Sequence, residues 1–230
     1  MKEEKDEKNE KNEKNEKDET FSLIFLHGVG GTGEGWVDLL QRISPEKTKL
    51  IYPTAPVGAV TIYGDQYMPS WFNMIDSKTI NVFELKESAI FVHSIVEKEI
   101  KKGRRPENII IGGFSQGAAL SLYSVLTCRR RLGGLFVLSG WHPAPWEFAE
   151  SCAPSPSHAL PNCHTPTLIC HGNNDTKVPL EWGRNCEKSL LSFMTQLEFK
   201  EIDGLGHEVD DSIEHEISLF LAKIAKQNLA

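Results

Sequence analysis

The strongest constraint on this chain is a recurrence of short, almost wholly apolar runs set between longer mixed segments. The runs are FSLIFLHG (21–28), LIYPTAP (50–56), NIIIGGF (108–114), LGGLFVLSG (132–140), TPTLICHG (165–172) and LEFKEIDG (197–204). A strand with one wet face alternates apolar and polar residues, whereas a continuously apolar strand is covered on both faces, as in a parallel sheet. Parallel strands need long crossovers, and the intervening segments are long enough to be helices. In NVFELKESAIFVHSIVEKEIKKG, residues Val82, Leu85, Ala89, Val92 and Val96 recur at helical spacing and Gly103 is a stop. The C-terminal VDDSIEHEISLFLAKIAKQ repeats Val209, Ile213, Ile217, Phe220 and Ile224, with acids first and lysines last, as a helix dipole favours. The expected fold class is α/β, a mainly parallel doubly wound sheet in a single domain, with ligands beyond the carboxyl ends of the strands.

The domain is expected over residues 20–230. Before it, MKEEKDEKNEKNEKNEKDE (1–19) holds six basic and nine acidic residues of a chain with formal net charge −7. After Met1 this leader has no apolar side chain with which to offset its ordering entropy, so it is expected to be disordered. No apolar run follows the basic start, as a signal peptide would require, and no run approaches the ~20 residues of a membrane span. Five cysteines without metal-ligand spacing suit reduced thiols in a cytoplasmic protein. The mildly acidic balance argues against nucleic acid as a partner.

The run at 108–114 leads into the chemistry. Gly113-Phe114-Ser115-Gln116-Gly117 fits G-x-S-x-G. Three fixed residues match by chance too often to decide anything alone. The context, strand before and helix after, is that of a nucleophile elbow, whose sharp turn leaves no room for Cβ atoms beside the serine. The plainer alternative is a tight turn with a capping serine. A serine hydroxyl needs a base, and the base a carboxylate; on such a sheet they follow in the order serine, acid, histidine. Asp175, in a loop just past a strand, and His207, in GLGHE after the last strand, are the candidates, with Asp203 and Glu208 as alternative acids. Oxyanion donors are expected from the backbone N–H groups of Gln116 and of Val29, in the Gly-rich loop HGVGGTGEGW (27–36). Gly28, Gly30 and Gly33 also satisfy G-x-G-x-x-G, but the next strand ends without the acid that would hold a ribose. A metal site from Cys170, His171, Asp175 and His207 lacks tight ligand spacing, so no metal is expected. His27 and His171, each preceding a glycine at a strand end, are expected to orient loops by hydrogen bonding.

With FLHGVGGTGEGW, YPTAP, MPSWFN, GGFSQGAALSLY, LSGW, CHGNNDTKVP and GLGHE in this order, the chain resembles the acyl-protein thioesterase and lysophospholipase group of small carboxylesterases within the α/β-hydrolases. The resemblance covers about residues 21–225. It implies Ser115 as nucleophile, Asp175 and His207 as its partners, Val29 and Gln116 as oxyanion donors, and no cofactor. It also implies acylated proteins, lysophospholipids or small carboxylic esters as substrates, with transient contact at a membrane surface. Three acids usual in the group are absent, since Asn73, Gly31 and Asn173 stand in their places; the field around the site is expected to be less negative. Aromatic and methionine residues in loops are candidates for an acyl groove. Trp36, Met68, Trp71, Phe72, Trp141, Trp146 and Trp182 are the candidates, Trp71 and Phe72 first because the resemblance sets their loop near the active edge. The alternatives are a small-ester carboxylesterase without a protein substrate, or a non-catalytic ligand-binding relative.

Overall fold

The computed structural model describes residues 20–76, 79–152 and 160–229; the charged leader expected over 1–19 lies outside the described residues. Six strands form one parallel sheet: β1 (Phe21–Leu26), β2 (Thr48–Ile51), β5 (Ile109–Phe114), β6 (Gly134–Leu138), β7 (Thr167–Gly172) and β8 (Leu197–Ile202). They lie in the order β2-β1-β5-β6-β7-β8. The first described strand therefore lies in the interior of the sheet, and the chain winds outward to β2 and returns to the other side of β1. The point of reversal lies between the carboxyl ends of β1 and β5, where doubly wound sheets open a crevice.

Each interior strand divides its side chains between two cores, because successive residues point to opposite faces. Ile24, Leu26, Ile109 and Ile111 pack with α2 (Val82–Lys101) and α3 (Gln116–Thr127) on one face. Leu23, Phe25 and Ile110 pack with α1 (Val37–Ile43) and α5 (Asp211–Leu229) on the other. Of the spaced apolar residues, Leu85, Ala89, Val92 and Val96 of α2 and Ile213, Ile217, Phe220 and Ile224 of α5 are buried, while Val82 and Val209 are half-buried and Val209 precedes α5. Asn81 caps α2 by accepting the Glu84 N–H, and its amide bonds the Glu84 carboxylate in return. A further helix, α4 (Leu180–Leu190), crosses from β7 to β8.

Two details differ from expectation. The strand sought in LIYPTAP ends at Ile51, and residues 52–56 are loop; Pro53 and Pro56 have no N–H to give to a ladder. An antiparallel hairpin, β3 (Val57–Val60) with β4 (Gln66–Pro69), stands apart from the main sheet and was not anticipated. Its turn uses two left-handed residues, Gly64 (φ 66°) and Asp65 (φ 59°).

Candidate active site

Ser115 sits between the end of β5 and the first turn of α3 with φ 56° and ψ −121°, a backbone state that a residue with a Cβ rarely adopts. The glycines around it are explained by crowding. A Cβ on Gly117 would stand 2.0 Å from the carbonyl oxygen of Leu26, and one on Gly113 would stand 2.5 Å from the backbone of Gly117. The turn is thus wedged against β1, and the serine is lifted towards the carboxyl edge of the sheet.

The loops after β7 and β8 bring two further side chains to the same place. The Ser115 hydroxyl lies 3.0 Å from His207 Nε2, and His207 Nδ1 lies 2.6 Å from Asp175 Oδ2. A carboxylate can only accept, so Nδ1 carries the proton and Nε2 is left to accept from the serine. Asp175 is buried, and its Oδ1 accepts the N–H groups of Lys177 and Val178 at 2.9 Å each. His207 packs against Phe114 with the rings tilted by 41° and their centroids 4.7 Å apart. Asp203 and Glu208, the other acids considered, do not take this place: Asp203 accepts a hydrogen bond from Asn173, and Glu208 is exposed.

The loop after β1 carries Gly28 and Val29 to the opposite wall. It is braced from beneath by His27, which is fully buried: Nδ1–H donates to the Gly28 carbonyl (2.7 Å) and Nε2 accepts the Ala55 N–H (2.9 Å). Burial pushes the pKa of His27 below its ordinary value, partly opposed by the Gly28 carbonyl. His171 plays the corresponding part beneath Asp175. Its Nε2–H donates to the Val178 carbonyl (2.8 Å), and burial likewise lowers its pKa. The N–H of Gln116 opens α3 at a position where no helical carbonyl precedes it. Its side chain, in which sequence reasoning saw no role, accepts the Trp71 N–H (2.9 Å) and donates to the Phe72 carbonyl (2.7 Å), tying residues 71–72 to the elbow.

Between these walls lies a cavity of about 190 Å³. Of the residues expected to form an acyl groove, Trp141 and Trp182 line it, while Trp36, Met68, Trp71, Phe72 and Trp146 are set elsewhere. Trp71 is 3% exposed and Phe72 1%, both within the core. The Trp71 indole N–H donates to the His27 carbonyl (2.8 Å), so its ring braces the β1 loop rather than facing a substrate. The loop signal that singled them out marks irregular backbone, which here is packed under the site. In place of the others, Ile62, Tyr63 and Met74 line the cavity, with Lys177 as its formally charged residue. Ile62 comes from the unanticipated hairpin, whose only sequence signal is the Gly64-Asp65 turn.

The residues that replace the usual acids have partners of their own. Asn73 bonds Thr61 in both directions, its Oδ1 accepting the backbone N–H and its amide donating to the hydroxyl, each at 2.8 Å. Asn173 donates to Asp203 and accepts the Gly204 N–H, both at 2.9 Å. Among the described residues, no group of three or more His, Cys, Asp or Glu side chains is arranged to hold a metal ion.

A family model described as phospholipase/carboxylesterase matches residues 8–225. The chain belongs to the phospholipase/carboxylesterase family. Acyl-protein thioesterase 1 of Gibberella zeae is 33% identical over 216 residues, covering 89% of this chain and 90% of that one. The crystal structure of Arabidopsis thaliana SOBER1 superposes with a TM-score of 0.78 at 29% identity, over 89% of this chain and 99% of that one. Zea mays acyl-protein thioesterase 2 gives 0.79 at 26% identity, over 90% and 94%. As a phospholipase/carboxylesterase family member the chain is an α/β-hydrolase, and the sheet order and elbow described above are its form of that fold. No helix among the described residues is long and apolar enough to cross a membrane.

Proposed function

We propose that this protein is a serine hydrolase that cleaves acyl thioesters or esters, working in the cytoplasm on acylated proteins or on lysophospholipid-type esters, without a cofactor. The observation that carries the reading is the unbroken hydrogen-bond relay from Asp175 through His207 to Ser115, delivered by three separate loops to the reversal point of the sheet. In this reading Ser115 Oγ attacks the acyl carbon and its proton passes to His207 Nε2. Asp175 holds the imidazole in the required tautomer and stabilises the imidazolium. The oxyanion is bound by the N–H groups of Val29 and Gln116, which the family resemblance assigns to that role. Collapse of the tetrahedral intermediate expels the thiol or alcohol, which takes the proton from His207. Water then enters, gives a proton to the same nitrogen, and releases the acid from Ser115.

Domain organisation follows the same reading: the catalytic domain is assigned to residues 20–230, and the charged leader over 1–19 is left outside it. The test uses a fluorophosphonate probe and a panel of acyl-thioester, lysophospholipid and short p-nitrophenyl ester substrates. Ser115→Ala should lose labelling and at least ~10³-fold in turnover while its melting temperature stays unchanged. Equal labelling of wild type and mutant would remove Ser115 from the role of nucleophile.

A further inference from the structure

A second cavity, of about 300 Å³, adjoins the first, and Trp141 and Trp182 line both. Two of its lining side chains carry a buried polar atom without a hydrogen-bond partner among the described residues: the Trp141 indole nitrogen and His142 Nε2. Their capacities are opposite. An indole N–H can only donate. His142 donates its Nδ1–H to the Ser189 hydroxyl (2.9 Å), because that hydroxyl gives its own proton to the Cys186 carbonyl. Nε2 is therefore left with a lone pair, and burial keeps the ring neutral near pH 7 by pushing its pKa down to about 4. Buried polar groups nearly always find partners, so an orphan donor and an orphan acceptor on adjacent residues call for a ligand that supplies both.

Helix α4 adds two further polar side chains. Glu181 and Asn185, four positions apart and so on one helix face, both line the cavity, and neither has a partner among the described residues. With His142 Nε2 they offer three acceptors: a carboxylate, an amide oxygen and an imidazole nitrogen. A primary ammonium carries three donors and no acceptor, which matches that set. A quaternary ammonium would satisfy the indole faces but leave all three acceptors unused. The charges agree, since Glu181 is the only formally charged residue lining this cavity, whereas Lys177 would repel a cation from the catalytic one. The indoles of Trp141, Trp146 and Trp182 make the rest of the wall apolar, as the methylene stem of a lysine requires. The orphan indole donor separates a lysine within a peptide from a free amine, because only the peptide brings a carbonyl for Trp141.

We propose that the second cavity is a subsite for a lysine side chain close in sequence to the acylated cysteine of a protein substrate, its ammonium held by Glu181, Asn185 and His142. The inference rests on the hydrolase reading above and adds the residue that the site selects beside the thioester. In the reaction water joins the acyl carbon, the thioester C–S bond breaks, and the fatty acid and the cysteine thiol leave; the lysine is unchanged.

The experiment uses the full chain and short peptides with a central S-octanoyl cysteine in a glycine–alanine background. A single lysine is moved through the three positions on either side, and each peptide is matched by one with glutamine and one with Nε-trimethyllysine in its place. At a preferred position, kcat/KM for the lysine peptide should exceed that for the glutamine peptide by about tenfold, the worth of a hydrogen bond to a charged group. It should likewise exceed that for trimethyllysine, which keeps the charge but has no donor. Glu181→Gln should bring the lysine-to-glutamine ratio near one, and His142→Phe should narrow the gap between lysine and trimethyllysine. Each ratio is internal to one protein, so a partial folding defect does not imitate the effect. In parallel, the lysine peptide is titrated into Ser115→Ala protein while the indole N–H resonances are followed. A shift of the Trp141 signal that is lost with Glu181→Gln supports the subsite without requiring turnover. Equal rates at every position, or trimethyllysine peptides cleaved as fast as lysine peptides, overturn the subsite, and cleavage of the glutamine peptides then leaves the hydrolase reading intact. Peptide binding by Ser115→Ala with no cleavage of any peptide by wild type would overturn the hydrolase reading, and the subsite's place in it, instead.

Discussion

The two walls of the site are held by different means. On the β1 side the loop with Gly28 and Val29 is braced by buried groups: His27 beneath it, the Trp71 indole on the His27 carbonyl, and the Gln116 amide on residues 71 and 72. On the β7–β8 side, the loops with Asp175 and His207 are joined near the surface by exposed hydrogen bonds between Asn173, Asp203 and Gly204. A hydrogen bond lost from a buried network leaves an unsatisfied group out of water's reach, whereas water replaces a surface bond at small cost. The wall that is to hold developing charge is thus fixed by the fold itself. The wall that in the proposed mechanism passes the proton has one buried brace, His171 beneath Asp175, but its two loops are also tied to each other by surface contacts that can be altered one at a time.

The largest break in this comparison should come from paired glycine substitutions. Gly117→Ala drives a Cβ into the Leu26 and His27 carbonyls, neither of which can retreat from the sheet. A loss of about 4 kcal/mol or more is expected, enough to prevent folding in many contexts. Gly204→Ala on the other wall meets nothing within 4 Å and suffers only from its φ of +73°, so about 1–2 kcal/mol is expected. Denaturant midpoints of the two variants check the contrast; equal losses would remove it.

Next in size is Trp71→Phe, which keeps most of the buried ring but removes the indole donor from the His27 carbonyl. A buried acceptor left unpaired costs about 1–3 kcal/mol. If this ring positions the β1 loop, kcat should also fall severalfold with KM little changed. A variant with normal kcat would confine Trp71 to packing.

Much of the frame behind these contrasts is legible in the sequence. Ile109, Ile110 and Ile111 read as a strand covered on both sides because only a two-faced interior accepts three such residues in a row, and they do divide between the two cores. Ser115, Asp175 and His207 are legible as polar residues at the ends of such runs. The braces are not. Trp71 looks like a groove residue because no periodicity surrounds it; its burial follows from bonds to His27 and Gln116, partners 44 and 45 positions away. The hairpin of β3 and β4 escapes for a related reason, since its strands are half exposed and short, with little apolar alternation to reveal them.

Acid should separate the walls further. His27 and His171 both have lowered pKa values from burial, so the unfolded chain binds more protons than the folded one as pH falls below about 6.5. Their contribution to stability is therefore present above that pH and is lost as pH falls from there towards the folded-state values. The two are not equivalent. A proton on His27 Nε2 would face the Ala55 N–H that this nitrogen now accepts. A proton on His171 would go to Nδ1, which has no hydrogen-bond partner to displace. His27→Gln should accordingly flatten the acid limb of a melting-temperature profile more than His171→Gln does. The reverse order would count against the braced wall as the acid-sensitive one.

The smallest effect, and the sharpest probe of the surface-held wall, is expected at Asn173. Its side chain donates to the Asp203 carboxylate and accepts the Gly204 N–H, linking the loop of Asp175 to that of His207. Asn173→Asp keeps the size and the acceptor but sets a second carboxylate against Asp203. The two like charges repel, and the donor that the amide supplied is lost. The exposed setting limits the penalty to about 1 kcal/mol, or roughly fivefold in kcat/KM. The loss should therefore shrink when salt shortens the screening length. Asn173→Ala, which lacks the charge, should show a loss independent of salt. If Asn173→Asp follows the wild-type profile at low and high salt, the two loops are held by their backbone alone, and the contrast between the walls reduces to burial.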